Sequence, residues 1–566
     1  MQRICINSWC AEAFEITDDD LACYKKLAPV IGGQTHELPL PDFCFSCRLQ
    51  RRLAFYNSRS LYKRICDFSG KQVVSVFSPD KPFKVYDKDI WFSDAWNPLS
   101  YGRDFDFDRP FFSQFRELME AVPQLAITHF GWENINSEFT NDNYKIKNCY
   151  LTFDGEQAED CYYLHSFVMD KNCVDGVHLM LSELCYECVH CTQCYALRFA
   201  RYSNNCSDSE FLRDCIGCKN CFGCANLRQK QYCIWNEQKT KQEYETFLQS
   251  FESSSHDVVQ AMRKKAEDFF SRQPVKSMRG EQNQNVVGDN MNQSKNAHWC
   301  FDCYNQEDCR YTTNCMMPAK DLFDVHVWGD GLELAYDCCV IGADSRELFF
   351  DYAVASNCTD ILYSTYCSQG CSHCFGCVGL RRSKYCIFNQ QYSEEEYGKL
   401  VNRIIDHMRQ AGEWGRFFPS EYSFFGYNET MAQTFFPLTK EECKKRGYRW
   451  CDYEAAIEAT RTIPAAQLPD NSADIPDDIL NWAIVCEVSK KPFKIIKQEL
   501  DFYRTHRLSI PRRHPNQRHF DRYALKNPFK LFDRTCAKCS KAIQTSYAPD
   551  RPEIVYCEEC YLKEVY

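Results

Sequence analysis

The sequence predicts a mainly β chain with short helices: two tandem parallel β-solenoid (β-helix) lobes with helical caps, flanked at both ends by duplicated small metal-binding modules. Three observations predict it. The middle of the chain contains an internal duplication, a second duplication joins its two ends, and 38 cysteines recur at short regular spacings.

The first duplication sets "CFGCANLRQKQYCIWNEQKTKQEYETFL" (221–248) on "CFGCVGLRRSKYCIFNQQYSEEEYGKLV" (374–401) at a constant offset of 153. The lead-ins ending at Asn148 and Asn296 also correspond, so 133–270 and 271–411 read as two copies of one unit. Within each copy the pair Asn-Cys recurs, and cysteines repeat at spacings of 19 to 21 (Cys173, Cys194, Cys215; Cys338, Cys358, Cys377). That predicts a coil of about 20 residues in which like side chains stack. Cysteine is small and apolar enough for a narrow interior, and the asparagine before it suits a tight corner. Thr240-x-x-Glu243 and Ser393-x-x-Glu396 predict capping boxes. The helix after the second has Tyr397, Leu400, Val401, Ile404, Ile405 and Met408 on one face. Such a helix covers the bare strand edge of a last coil.

The second duplication sets "VVSVFSPDKPFKVYDKDIW" (73–91) on "IQTSYAPDRPEIVYCEECY" (543–561) at an offset of 470, and "FEITDDDLACYKK" (14–26) on "FKIIKQELDFYRT" (493–505) at 479. Each end therefore carries two modules in tandem, over 1–91 and 479–566. Between these and the lobes lie a Pro-punctuated aromatic bridge (92–132) and an aromatic segment with a linker (412–478).

Cys536-x-x-Cys539 followed by Cys557-x-x-Cys560 is a four-thiolate set with zinc-finger spacing. A strand hairpin is expected over 541–556 and a helix from "CYLKEVY", an arrangement that resembles a treble-clef zinc finger. The equivalent N-terminal places hold Cys66, Ser69, Asp87 and Ile90, one thiol of four. Conversely, Cys5, Cys10, Cys44 and Cys47 form a second four-thiolate set, whose C-terminal counterpart keeps only Cys486 and His514, a residual metal-binding pair. The expected cofactor is zinc, about two structural ions. Four protein ligands leave no open position, so structural zinc is preferred over catalytic zinc.

Cys185, Cys188, Cys191 and Cys194, and again Cys215, Cys218, Cys221 and Cys224, resemble part of a ferredoxin run. No proline follows, the final spacing differs, and in the second copy Ile341, Asp344, Glu347 and Ser368 replace four of them. A core ladder is therefore preferred over an iron–sulfur cluster. Auxiliary zinc on these thiols stays open, with His190 and His373 as candidate ligands.

Arg48, Arg52 and Arg64 recur as Arg518, Arg522 and Arg534. One reading is a phosphate-binding patch for RNA or DNA. The other, preferred here, is pairing with acids of the modules such as Asp18, Asp20 and Glu499, since the guanidinium fork binds carboxylates equally well. No P-loop, G-x-G-x-x-G, H-E-x-x-H or G-x-S-x-G is present. Asp170, Asp175, Asp208, Asp214, Asp324, Asp330 and Asp360 supply acids to the repeats, but spacing fixes no catalytic pair.

A formal charge of −11 argues against nonspecific nucleic-acid binding by the whole chain, and 15% aromatic residues against disorder. The start "MQRICINSWCAEAFEI" has no apolar signal region, and no run approaches the ~18 apolar residues of a membrane helix. A cytoplasmic address without membrane contact is expected, with cysteines as thiols or metal ligands. The block "CFGC…LR…YCI(W/F)N", with "PDRPEIVYCEECY", resembles an uncharacterised cysteine-rich family of hypothetical proteins from candidate-phyla bacteria, departing from it at 87–90, where "DKDI" stands for C-x-x-C. That resemblance implies no activity. The expected function is a zinc-binding, non-enzymatic binding or scaffold protein with protein, carbohydrate or nucleic acid as partner. The alternatives are a carbohydrate-active β-helix enzyme and a nucleic-acid-binding protein using the basic modules.

Overall fold

The computed structural model describes residues 1–128 and 133–566; the end of the expected bridge, 129–132, lies outside the described residues. The chain is mostly short strands with few helices. In the middle, the strands run parallel and in register twelve residues apart: Phe153 pairs with His165, His165 with Val177, Val177 with Val189. Further bridges at the same step fill the space between, among them Lys147–Glu159, Tyr150–Tyr162 and Ser207–Lys219. The pairing step is thus twelve, not the 19 to 21 read from the cysteine spacing.

A triplet rule explains the step. Every third residue has positive φ, for example Asn148 at 54°, Leu151 at 48° and Asp154 at 56°. The next residue is buried and the third bridges to the neighbouring level. Four such triplets make twelve residues, so four buried columns run through the first ladder. One of them stacks Cys149, Cys161, Cys173 and Cys185, then Leu197, Ser209, Cys221 and Cys233. The recurring Asn-Cys pair is a left-handed residue followed by a column residue. Asparagine tolerates that backbone, and its side chains also form a ladder: Asn136 donates to Asn148 at 3.0 Å, and Asn148 to Asp160 at 3.0 Å. At Gly223 (φ 65°) only glycine fits, because a Cβ there would lie 2.4 Å from the Trp235 ring.

In the second ladder most steps lengthen to thirteen, as in Glu333–Arg346–Thr359–Ser372. Its outward column Phe323, Tyr336, Phe349, Leu362, Phe375, Ile387 is in register and buried. The aromatic segments lie over it: Phe111 and Phe115 from one, Trp414, Phe417 and Phe418 from the other, in one continuous core.

The cap helices form where the capping boxes predicted, Lys241–Ser250 behind Thr240 and Glu394–Gln410 behind Ser393. The second buries Tyr397, Val401, Ile404, Ile405 and Met408. The duplicated "CI(W/F)N" motif ends each ladder with a side chain in place of a backbone. Asn389 accepts from Val378 N–H at 2.8 Å and donates to Val378 C=O at 2.8 Å, and Asn236 does the same to Ala225. Replacing the fully buried Asn389 by alanine strands both groups and is expected to cost about 1–3 kcal/mol, read as early loss of hydrogen-exchange protection in Glu394–Gln410.

The end modules repeat in three dimensions as in sequence: the helix Phe45–Leu53 matches Pro515–Tyr523, and the hairpin Tyr62–Ile65/Gln72–Ser75 matches Phe532–Thr535/Ala542–Thr545. Each outer helix docks on the ladder distant in sequence. Arg48 and Arg52 reach Asp324 in the second ladder, Arg518 and Arg522 reach Asp175 in the first.

Candidate metal centres

Cys5, Cys10, Cys44 and Cys47 come together, as do Cys536, Cys539, Cys557 and Cys560, each with all four sulfurs within 4.8 Å of one another. Cys10 and Cys44 sulfurs lie 3.7 Å apart, and Cys539 and Cys557 sulfurs 3.7 Å apart. A tetrahedral ion with Zn–S of about 2.3 Å sets sulfurs about 3.8 Å apart, so both sets fit a metal ion such as zinc. The elements responsible are a knuckle and a helix start. The knuckle at Cys536 is closed by Cys536 N–H on Lys541 C=O and Ser540 N–H on Cys536 C=O. It therefore sits in the turn of the hairpin Phe532–Thr535/Ala542–Thr545, rather than before a hairpin over 541–556. Cys557 and Cys44 are N-caps of their helices, and neither side chain caps; the thiols stay free for an ion. Burial pushes the Cys536 thiol up, but N–H groups of Cys557, Cys539 and Lys538 outweigh it and hold it at about 6. Burial pushes Cys10 up to about 11 and Cys560 up to about 12.

The one-cysteine modules keep the knuckle and reassign the other places. Cys66 sulfur accepts from Ser69 N–H at 3.4 Å and Asp87 N–H at 3.2 Å, while the Asp87 carboxylate caps the helix Lys88–Trp91. Cys486 sulfur accepts from Ser489 N–H at 3.4 Å and from the backbone of His514. The His514 ring accepts from Asn516 N–H at 3.1 Å and caps Pro515–Tyr523. Cys486 and His514 are therefore adjacent, with the imidazole turned to its own helix.

The six arginines are all engaged. Arg48 lies 2.6 Å from Asp324, Arg52 2.6 Å from Asp337, Arg518 2.5 Å and Arg522 2.6 Å from Asp175. Arg64 donates to the carbonyls of Ser78, Lys81 and Phe83, and Arg534 to those of Ala548 and Glu553. These contacts take up the forks a phosphate would need. Glu499 does pair with Arg518, but Asp20 meets Arg310 of the second ladder instead of a module arginine.

The central cysteines line the buried columns. Cys215, Cys218, Cys221 and Cys224 occupy the four columns of one twelve-residue step, and their thiols donate to carbonyls two residues back, such as Cys215 to Arg213 at 3.5 Å and Cys221 to Lys219 at 3.4 Å. Serine at equivalent places bonds alike, Ser209 to Ser207 at 2.7 Å. Of the two histidines singled out beside them, His373 lies 2.8 Å from Asp360.

The other, His190, belongs to a polar seam between the ladders that sequence reasoning missed. His178 and His190 stack with centroids 4.4 Å apart, and both face Asp302 of the second ladder and Lys526 of the last module. Nearby, Tyr56 bonds to both Asp142 and Asp154, and His165 lies 2.9 Å from Asp154 and 2.8 Å from the Tyr523 hydroxyl. Burial holds His165, His178, His190, His326 and His519 below the usual imidazole range, hence neutral. Burial and the neighbouring Asp154 charge push Asp142 well up. Tyr56 and Lys526 are counterparts at the offset of 470, each set on a corner acid. Once the twelve-residue step is known, His178 and His190 are recognisable as stacked neighbours.

No family model matches the chain, and no curated protein matches it. A solved structure described as a "putative acetyltransferase" from Desulfovibrio desulfuricans G20 is similar at 8% sequence identity over 42% of this chain and 64% of that one, with a TM-score of 0.09. The chain thus spans less than two thirds of that protein's length, and a score so low carries no argument. These comparisons lend no support to the family resemblance. Among the described residues, no helix is long and apolar enough to cross a membrane.

Proposed function

We propose that the chain is a zinc-stapled scaffold: two β-solenoid lobes, with treble-clef-like modules at both ends, that bind a partner without chemistry. In this reading the ladders over 133–270 and 271–411 are closed coils of four short walls, the modules occupy 1–91 and 479–566, and 92–132 and 412–478 pack between them. The two four-cysteine groups hold structural zinc. The observation that carries the reading is the outer wall of the first lobe, where Lys147, Glu159, Lys171 and Glu183 stack in register with alternating sign. Lys147 and Lys171 both pair with Glu159, at 2.8 and 3.5 Å. Such a wall is regular and charge-balanced, suited to a folded partner rather than a polyanion.

One observation favours the carbohydrate-enzyme alternative, the carboxylate pair Asp142 and Asp154 beside Tyr144, Phe167 and Trp328. Its cavity of about 80 Å³ is small against the about 300–1,000 Å³ of small-molecule sites. Purified full-length chain is expected to carry two zinc ions and to lack visible absorption. It is also expected to show no salt-sensitive shift with RNA and to release no reducing ends from polysaccharides. Salt-sensitive RNA retention would replace this reading with the nucleic-acid one; sugar release abolished by Asp154→Asn would replace it with the enzyme.

A further inference from the structure

We infer that His178, His190 and Asp302 form a third metal site, unlike the terminal pair, that takes a divalent transition-metal ion and opens onto the cleft between the ladders. The three residues are 4%, 8% and 5% exposed, and their ligand atoms lie within 4.8 Å of one another. His178 Nε2 is 3.9 Å and His190 Nε2 3.4 Å from Asp302 oxygens. Metal–ligand bonds of about 2.0–2.2 Å span such separations with a small inward shift of each side chain. Two imidazoles and one carboxylate on one side of an ion leave its other positions open.

Two independent observations point to a cation. The first is that the site already holds one. The Lys526 ammonium lies 2.8 Å from His178 Nε2 and 2.7 Å from Asp302 Oδ2, where an ion bound to both would stand. A lysine donating to imidazole means that this nitrogen presents a lone pair, the form a metal requires. The second is that His190 Nε2 finds no hydrogen-bond partner among the described residues despite full burial. Asn290 Nδ2 lies 2.9 Å from His190 Nδ1 and donates to Asp302 at 2.9 Å; metal binding at His190 Nε2 requires this amide to turn its oxygen to Nδ1 and to give Asp302 up to the ion. His178 and His190 also line a cleft of about 760 Å³ with Tyr202, Arg228, Lys276 and Tyr561. That size admits a small ligand to the open side of the ion. Lysine and metal compete for one place, so the site binds its ion only as Lys526 withdraws.

The test is cobalt titration of the full chain after chelator stripping under reducing conditions. Three ions per chain are expected. Two bring intense thiolate-to-cobalt absorption, and the third adds only weak ligand-field bands. The double variant His178→Ala/His190→Ala is expected to lose the third ion alone, and Asp302→Asn, nearly the same shape, gives the same readout should the double variant misfold. Lys526→Met is expected to fill the third site at tenfold or more lower free cobalt. Saturation at two ions in both wild type and Lys526→Met, or a third ion that survives the histidine and aspartate substitutions, overturns the proposal. Loss of the two thiolate-bound ions with the third retained would instead count against zinc at the termini.

Discussion

Asp175→Asn is expected to destabilise the docking of the last modules on the first ladder by about 3–5 kcal/mol, because it leaves the buried Arg522 guanidinium without its carboxylate and Arg518 with Glu499 alone. Asp175 is fully buried, takes Arg518 on one oxygen and Arg522 on the other, and stands at a corner with φ of 58°. Asparagine tolerates that corner, so the substitution isolates the charge from backbone strain. Alanine adds strain and should cost more. Neither arginine can escape to water: Arg518 stacks on Tyr163 at 4.2 Å and Arg522 is 5% exposed. Removing the whole cluster, with Arg518→Met, Arg522→Met and Glu499→Gln added, is expected to recover most of the loss, since the cluster's Coulomb energy largely offsets its own desolvation. Denaturant unfolding followed by hydrogen exchange in Pro515–Tyr523 reads this out. Equal midpoints for Asp175→Asn and wild type would mean that the arginines find other acceptors and that the helix is held by its apolar contacts alone.

Those arginines show how far sequence reasoning reached. The duplications were legible because offsets of 153, 470 and 479 persist through long segments, and the structure repeats helix for helix and hairpin for hairpin along them. Capping boxes and four-cysteine sets were legible for a similar reason: spacing alone fixes a helix start or a ligand tetrahedron. The ladder step was not legible from cysteines, because they stand in all four buried columns. Cys173 and Cys194 are 21 residues apart, seven triplets, and belong to different columns; Cys173 and Cys185, twelve apart, share one. The second ladder blurs the signal further, since an extra residue in most steps shifts the count by one. Glu499 was legible as a partner of Arg518, but the aspartate partners of the arginines were missed because Asp175 and Asp324 read as ordinary repeat acids until a helix hundreds of residues away lands on them. The seam was hidden for the same reason: His178 and His190, Asp302, and Lys526 come from three distant parts of the chain.

Stripping metal with a chelator under reducing conditions is expected to release the two four-cysteine modules and leave the two one-cysteine modules in place. The difference lies in what else holds each. Around Cys5, Cys44 and Cys47 the packed apolar residues are little more than Phe14 and Phe43, and the C-terminal set gathers Val275, Tyr547 and Val555 with Ile543. Cores this small do not offset the entropy of ordering some 30 residues at about 1–2 kcal/mol each. Backbone pairing and burial meet most of that cost, and the about 10–16 kcal/mol of apparent binding energy that a structural zinc ion would supply tips the small remaining balance toward folding. By contrast, Phe77, Phe83, Val85, Tyr86 and Trp91 embed the module at Cys66 in the large aromatic core, and Ile484, Phe493, Leu500 and Tyr503 embed the one at Cys486. Asp87 and His514 supply the helix caps there. Hydrogen exchange on the stripped chain should therefore rise to near-unfolded rates over 1–16 and 532–566. Residues 62–91 and 482–510 should keep their protection, and so should Phe45–Leu53, which Arg48 and Arg52 anchor to the ladder regardless of the ion. Cys560→Ser should reproduce the C-terminal half of this pattern with the N-terminal site still loaded. Simultaneous loss of all four modules, or of none, would mean that the terminal ions do not carry the folding of the modules that hold them.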